Sequence, residues 1–147
     1  MTPRLILDAL TEADLSVIAH YQHTVLEALL PMLAAARARL HEGRDYEPFA
    51  VRYDGCLVGV VSLFEQPDGT VCDGVDAFPP YRRQGHAFRA LNLLTEVARA
   101  RGFTVQTAQI RTDNAASIAL HRKLGFTSGE PWTNRKGSEV RTWRKEL

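Results

Sequence analysis

The chain has 147 residues, with 18 lysines and arginines against 17 aspartates and glutamates, a net charge of +1, and 45% hydrophobic residues. That length suits one domain with its own core, and the near balance of charge argues against nucleic acid or a membrane surface as partner. Cys56 and Cys72, without CxxC spacing, supply neither a disulfide framework nor a zinc pattern, which fits a reduced cytoplasmic setting.

In chain order, residues 4–8 form a short apolar run that reads as a first strand. Thr11 and Asp14 stand three apart ahead of an apolar-periodic stretch, close to a capping box, and predict a helix over 12–24. Pro31 marks a break or a fresh start, and MLAAARARL after it is strongly helix-forming as far as Gly43. EPFAVRYDGCLVGVVSLFE is the clearest hairpin, two β-rich runs joined by the turn Asp54-Gly55. Residues 70–78 add a further strand to that sheet. Between 85 and 101, alanines and leucines recur at helical spacing, with Gly102 as the stop. Residues 103–111 read as a strand and 114–124 as a short helix closed by Gly125, with weaker strand signals at 125–132 and 140–145. No run approaches the length of a membrane span. Without repeats, linkers or low-complexity tracts, residues 1–147 read as one α/β domain of order β-α-α-β-β-β-α-β-α-β-β with a mixed sheet.

The junction at YRRQGHAFRA carries the first chemistry. A strand, a glycine-bearing turn and a helix start form the geometry that binds phosphate, because a first helical turn has unpaired N–H groups and a positive dipole end. Gly85 lets the backbone approach a ligand closely, and Ala87 keeps the next turn small. Arg82 and Arg83 add full charges. The plain alternative is a surface turn with two solvated arginines. The segment has neither the Gly-Lys-Ser/Thr of a P-loop nor a G-x-G-x-x-G fingerprint.

A second segment, NAASIALHRKLGF (114–126), stands downstream of VDAFPPYRRQGHA. Together they resemble the GCN5-related N-acetyltransferase family. The first is similar to its acyl-CoA pyrophosphate motif V-x-P-x-Y-R-x-x-G-x-G/A, with Ala77 in the Val place. The second is similar to N-x-x-A-x-x-L-Y-x-K-x-G-F, with Ser117 in the Ala place and His121 in the Tyr place. The resemblance implies a mixed, mostly antiparallel sheet flanked by helices, and acetyl-CoA as co-substrate with no metal. It further implies direct transfer of the acetyl group to a primary amine on a small molecule or a peptide or protein N-terminus. It also implies roles. Backbone N–H groups within Val75, Asp76 and Ala77 would pair with the pantetheine and polarise the thioester carbonyl. Those of Arg83, Gln84, Gly85, His86, Ala87 and Phe88 would cradle the diphosphate beside Arg82. Asn114 would bond the coenzyme as well as capping its helix. Homodimers are common in that family.

The sequence departs from the pattern at two places. Gln109 stands where many members carry a glutamate base, and it does not ionise. His121 replaces the tyrosine that protonates the departing thiolate, which makes it the catalytic candidate; a half-buried helix histidine without chemistry is the plain alternative. These departures leave room for a second reading, an acyl-CoA-binding sensor with little turnover. Asp73 and Asp76 fall on opposite faces of one strand, so at most one faces the cleft. His20 and His23 share a helix face without a third ligand and read as solvated or acceptor-lining. Glu42, Asp45 and Glu47 are expected near the acceptor cleft, as a solvated loop face or a lure for a cationic amine. Cys72 reads as a small buried apolar residue, and Trp132 and Trp143 as packing.

Overall fold

The structure is a computed structural model and describes residues 4–147. β1 (Leu5–Ala9) leads into α1 (Glu12–Tyr21). The capping pair forms as the spacing requires, with the Asp14 carboxylate accepting the Thr11 backbone N–H at 2.9 Å. α1 ends three residues before the expected limit, and a 3-10 turn, Leu26–Leu29, follows. Pro31 then sits in the first turn of α2 (Leu30–Ala38), where its missing N–H costs nothing. That helix also stops early. Arg39 adopts the left-handed conformation at φ 52°, and Leu40–His41 (β2) pairs with Asp45 and Arg44.

β3 (Arg44–Tyr53) and β4 (Cys56–Glu65) form the expected hairpin. Asp54 and Gly55 both have positive φ, 51° and 84°, the type I′ combination whose twist matches the strands. One irregularity interrupts the ladder: Val51 pairs with Gly59 but Arg52 with Leu57, so Val58 is an extra residue on β4. β5 (Val71–Ala77) follows, then α3 (His86–Ala100), β6 (Val105–Arg111) and α4 (Ala115–Lys123). The tail makes two short strands, β7 (Thr127–Ser128) and β8 (Trp132–Thr133), and a long one, β9 (Glu139–Glu146). The predicted order therefore holds, with β2 added and the strand expected at 125–132 divided in two.

The sheet order is β1-β3-β4-β5-β6-β9-β7, with β2 on β3 and β8 on β9. Every neighbouring pair is antiparallel except β5 and β6. One core packs Leu91, Leu94 and Ala98 of α3 with Ile110, Phe126 and Trp143. A second packs Leu15 and Ile18 of α1 and Leu33 of α2 with Ala50 and Phe78. Among the described residues, no helix is long and apolar enough to cross a membrane.

The parallel pair positions the site. β5 pairs with β4 along its whole length, from Val71↔Glu65 to Ala77↔Gly59. It meets β6 only at Val71↔Gln106 and Cys72↔Thr107. Beyond Cys72 the two strands part, and residues 73–77 present a strand edge that β6 leaves unpaired.

Candidate active site

The open edge of β5 runs into the junction singled out in the sequence. A 3-10 turn, Pro79–Tyr81, turns the chain, and Arg83 and Gly85 take positive φ of 64° and 80° before α3 starts. The first main-chain bond of the helix runs from the Arg89 N–H to the Gly85 carbonyl at 3.2 Å. Among the described residues, the backbone N–H groups from Arg83 to Phe88 find no protein acceptor. A run of free donors at a helix start, with left-handed backbone at Arg83 and Gly85, is an anion nest. A Cβ built on Gly85 would meet nothing within 4 Å, so the space above the turn is open.

Side chains shape that turn from within. Arg82 Nε donates to the Ala77 carbonyl at 2.9 Å, tying the turn to the end of β5. Gln84 donates to the Pro80 carbonyl at 3.2 Å and lies 3.2 Å from His86 Nε2. His86 is buried against Tyr53, with ring centroids 4.6 Å apart, and its Nδ1 has no partner among the described residues. Burial holds its pKa below the ordinary value, and the Arg89 charge adds to this. At this same end of β5, Gly59 allows β4 to lie close: a Cβ there would fall 2.5 Å from the Asp76 carbonyl oxygen.

Asp73 and Asp76 face opposite ways, as strand alternation requires. Asp76 accepts from Gln22 Nε2 at 3.1 Å, on the α1 side of the sheet. On that side Gln109 accepts from Asn134 Nδ2 at 3.0 Å, and Trp132 Nε1 donates to Thr142 at 3.1 Å. Asp73 points to α4. Its Oδ1 lies 3.0 Å from His121 Nε2, and its Oδ2 accepts from Gln106 Nε2 at 2.8 Å. Thr95 donates to Gln106 Oε1 at 2.8 Å, and His121 Nδ1 lies 2.9 Å from the Ser117 carbonyl. His121 is 1% exposed. Both ring nitrogens thus face oxygen acceptors, an arrangement satisfied by the imidazolium beside a carboxylate. Burial opposes that charge, but the bond and charge of Asp73 outweigh it and raise the His121 pKa.

The seven-residue spacing of Asn114 and His121, two helical turns, predicts that both point from one face of the helix toward the coenzyme. In the structure Asn114 is exposed at the helix start, accepting the Ser117 N–H at 3.1 Å, while His121 lies inside the protein. Sequence reasoning missed Asp73, Gln106 and Thr95 as its partners. The available signal was parity: the inward face of β5 had to meet whatever α4 buried.

Asp45 and Glu47 of the acidic stretch 41–49 lie on β3 and not in a loop. Arg39 pairs with Asp45 and Glu47, and Arg101 at the far end of α3 also pairs with both. These carboxylates therefore sit a helix length from the anion nest, neutralised by arginines. His20 and His23 are exposed, and no metal-binding cluster forms among the described residues. Burial pushes the Cys72 thiol up to about 11, so it stays protonated at neutral pH. Trp132 is 44% exposed, unlike the buried Trp143, and is not core packing.

A splayed parallel pair opening onto an anion nest defines an acyl-coenzyme A type of site, and the sequence profile of the acetyltransferase (GNAT) family matches residues 12–126. The chain belongs to that family. A curated relative, an L-methionine sulfoximine/L-methionine sulfone acetyltransferase of Pseudomonas aeruginosa, is 46% identical over 63 residues. That match covers 43% of this chain and only 37% of the relative's length. A ribosomal L7/L12 alpha-N-protein acetyltransferase solved in complex with coenzyme A superposes with a TM-score of 0.85 at 17% identity, covering 97% of this chain and 94% of that one. A ribosomal-protein-alanine N-acetyltransferase from Brucella melitensis gives 0.78 at 25% identity, over 97% and 99% of the two chains.

Proposed function

We propose that the protein transfers the acetyl group of acetyl-CoA to a primary amine by direct attack, as one domain. The observation that carries this reading is the open edge of β5 running into the unpartnered N–H groups of Arg83–Phe88. One side is a strand edge that suits the amides of a pantetheine arm, and the other is a nest that suits a diphosphate. Acetyl-CoA supplies the activated thioester; the chain supplies position and charge.

Backbone N–H groups of residues 75–77 polarise the thioester carbonyl, a use of prearranged dipoles that costs no reorganisation during reaction. Arg82 holds the end of β5 against the turn, and its charge favours the diphosphate. His121 acts from behind the strand: it fixes α4 to β5 and holds a proton at Nε2. Giving that proton to a thiolate requires the bond to Asp73 to open. The acceptor enters on the α1 side, where Asp76 and Gln22 are available to an ammonium or amine and Gln109 is engaged by Asn134. Both acceptor classes remain within this reading, amino-acid-like small molecules and peptide N-termini. The relatives' acceptors, a methionine derivative and ribosomal protein N-termini, support it.

Two further parts of the reading rest on surface features. Free Cys56, exposed, and Cys72 fit a reducing cytoplasm. Apolar Val17, Val25 and Leu30, exposed along α1 to α2, support a homodimer, which sedimentation tests.

The deciding experiment is release of free thiol from acetyl-CoA with a panel of methionine sulfone, polyamines and short peptides. Turnover with at least one amine, above the hydrolysis rate, is the expected result. Tight coenzyme binding with no acceptor in the panel turning over would indicate a sensor instead.

A further inference from the structure

The flank of α4 turned to the tail strands carries a second pocket, of about 280 Å³, lined by Ile110, Thr112, Ile118, Arg122, Ser128, Arg141 and Trp143. It is distinct from the coenzyme cleft. Ser117 and His121 face Asp73 and β5, whereas Ile118 and Arg122, each one residue on and about 100° round the helix, face β9. On β9, Arg141 and Trp143 pair with Ile110 and Ala108, and these residues share one side of the sheet.

The chemistry of the lining is one-sided. Two guanidinium groups line it and no carboxylate does. The arginine ion pairs of the described residues engage Arg39, Arg52, Arg99, Arg101, Arg111 and Arg144, and neither Arg122 nor Arg141. Arg122 stacks its guanidinium 5.5 Å from the Trp143 ring centre, which leaves its edge N–H groups free. Arg141 spends one N–H on the Gly129 carbonyl at 2.8 Å and keeps the others. Trp143 is 3% exposed, and its indole N–H has no acceptor among the described residues. A buried indole N–H without a partner is rare, because leaving a donor dry costs about 1–3 kcal/mol. Thr112 is already used, donating to Glu139 at 2.9 Å, outside the lining.

We infer that this pocket binds a small carboxylate with an apolar body. The carboxylate oxygens meet Arg122, Arg141 and the Trp143 N–H, and the body rests on Ile110, Ile118 and the indole face. A fork of two guanidinium groups matches a planar carboxylate in particular. The volume is near the lower end for small-molecule pockets, which sets the ligand at amino-acid size.

Trp143 reports on the site directly. In a Trp132→Phe protein it is the sole tryptophan, and its emission is followed while cyclohexanecarboxylate, cyclohexanecarboxamide or inorganic phosphate is added. Saturable change with the carboxylate, absent with the amide and weaker with phosphate, is the expected result. Arg122→Gln and Arg141→Gln, made singly and checked for an unchanged melting curve, should each weaken the carboxylate by roughly tenfold or more. Saturating coenzyme A should leave binding in place. No saturable change, equal response to the amide, tighter binding of phosphate, no weakening in a folded Arg122→Gln protein, or loss of binding when coenzyme A is present each overturns the proposal.

Discussion

His121 Nε2 lies 3.0 Å from Asp73 Oδ1, and this buried bond ties α4 to β5 beside the point where β5 leaves β6. The Asp73 carboxylate favours the charged imidazole, and Gln106 and the Ser117 carbonyl use the remaining polar atoms.

Removing one partner strands the other. Asp73→Asn should cost about 3–5 kcal/mol, the usual loss when a buried ion pair is broken on one side. Urea unfolding of the two proteins measures it, and a loss under 1 kcal/mol would show that the contact is not an ion pair.

The same pair sets a pH dependence. The folded His121 pKa lies above its ordinary 6.5. Its contribution is therefore complete below about pH 6.5 and fades as pH rises through the folded value. Melting temperature should fall as pH rises above 6.5 and through the folded value, and His121→Phe should flatten that fall. If His121 also supplies the proton to the thiolate, His121→Phe lowers kcat by about a hundredfold with little change in KM for acetyl-CoA. Equal kcat at every pH in a folded variant would leave His121 a structural residue.

The acid limb belongs to a different pair. Burial opposes ionisation of Asp14, but two bonds from Arg52, at 3.0 and 2.8 Å, and the Thr11 N–H outweigh it and lower its pKa below 3.8. This stability is present above pH 3.8 and is lost as pH falls through the lower folded value. Asp14→Asn should lose about 1–3 kcal/mol at neutral pH and should steepen less on acidification. A parallel acid melt in both proteins would refute the assignment.

Gly85→Ala separates binding from folding. The φ of 80° costs an alanine about 1–2 kcal/mol, while the open space around it permits the fold. Relaxing that residue would turn the N–H groups out of line, so coenzyme A affinity should drop by roughly tenfold, read by calorimetry. Unchanged affinity in a folded protein would move the diphosphate elsewhere.

Gly59→Ala tests the wall of the cleft. Its Cβ would meet the Asp76 carbonyl at 2.5 Å, backbone that has no room to yield, so β5 must shift against β4. Turnover should fall more than stability does. A crystal structure of the variant with β5 unmoved would contradict this.

Local chemistry was readable from the chain. Asp54-Gly55 announced its hairpin, Gly102 its helix stop, and Gly85 its turn, because each depends on a backbone conformation few residues adopt. The opposed faces of Asp73 and Asp76 followed from strand alternation alone. What lay beyond reach were partners chosen across the fold. Asp73 and His121 are 48 residues apart, and Glu47 and Arg101 are 54 apart, so neither pairing leaves a trace in local spacing. Hence the arginines that neutralise Asp45 and Glu47 could not be named from the chain. Arg39 was read as helical because nothing in its type forecasts φ 52°.

The brief meeting of β5 with β6 divides the sheet into two plates, β1-β3-β4-β5 and β6-β9-β7, stitched at Val71 and Cys72. A pantetheine arm lying along residues 73–77 would act as a substitute strand, lending the plates the continuity their own backbones withhold. Amide exchange in β5 beyond Cys72 should then slow when coenzyme A binds, while exchange at Val71 changes little. On this view the ligand is a part of the architecture.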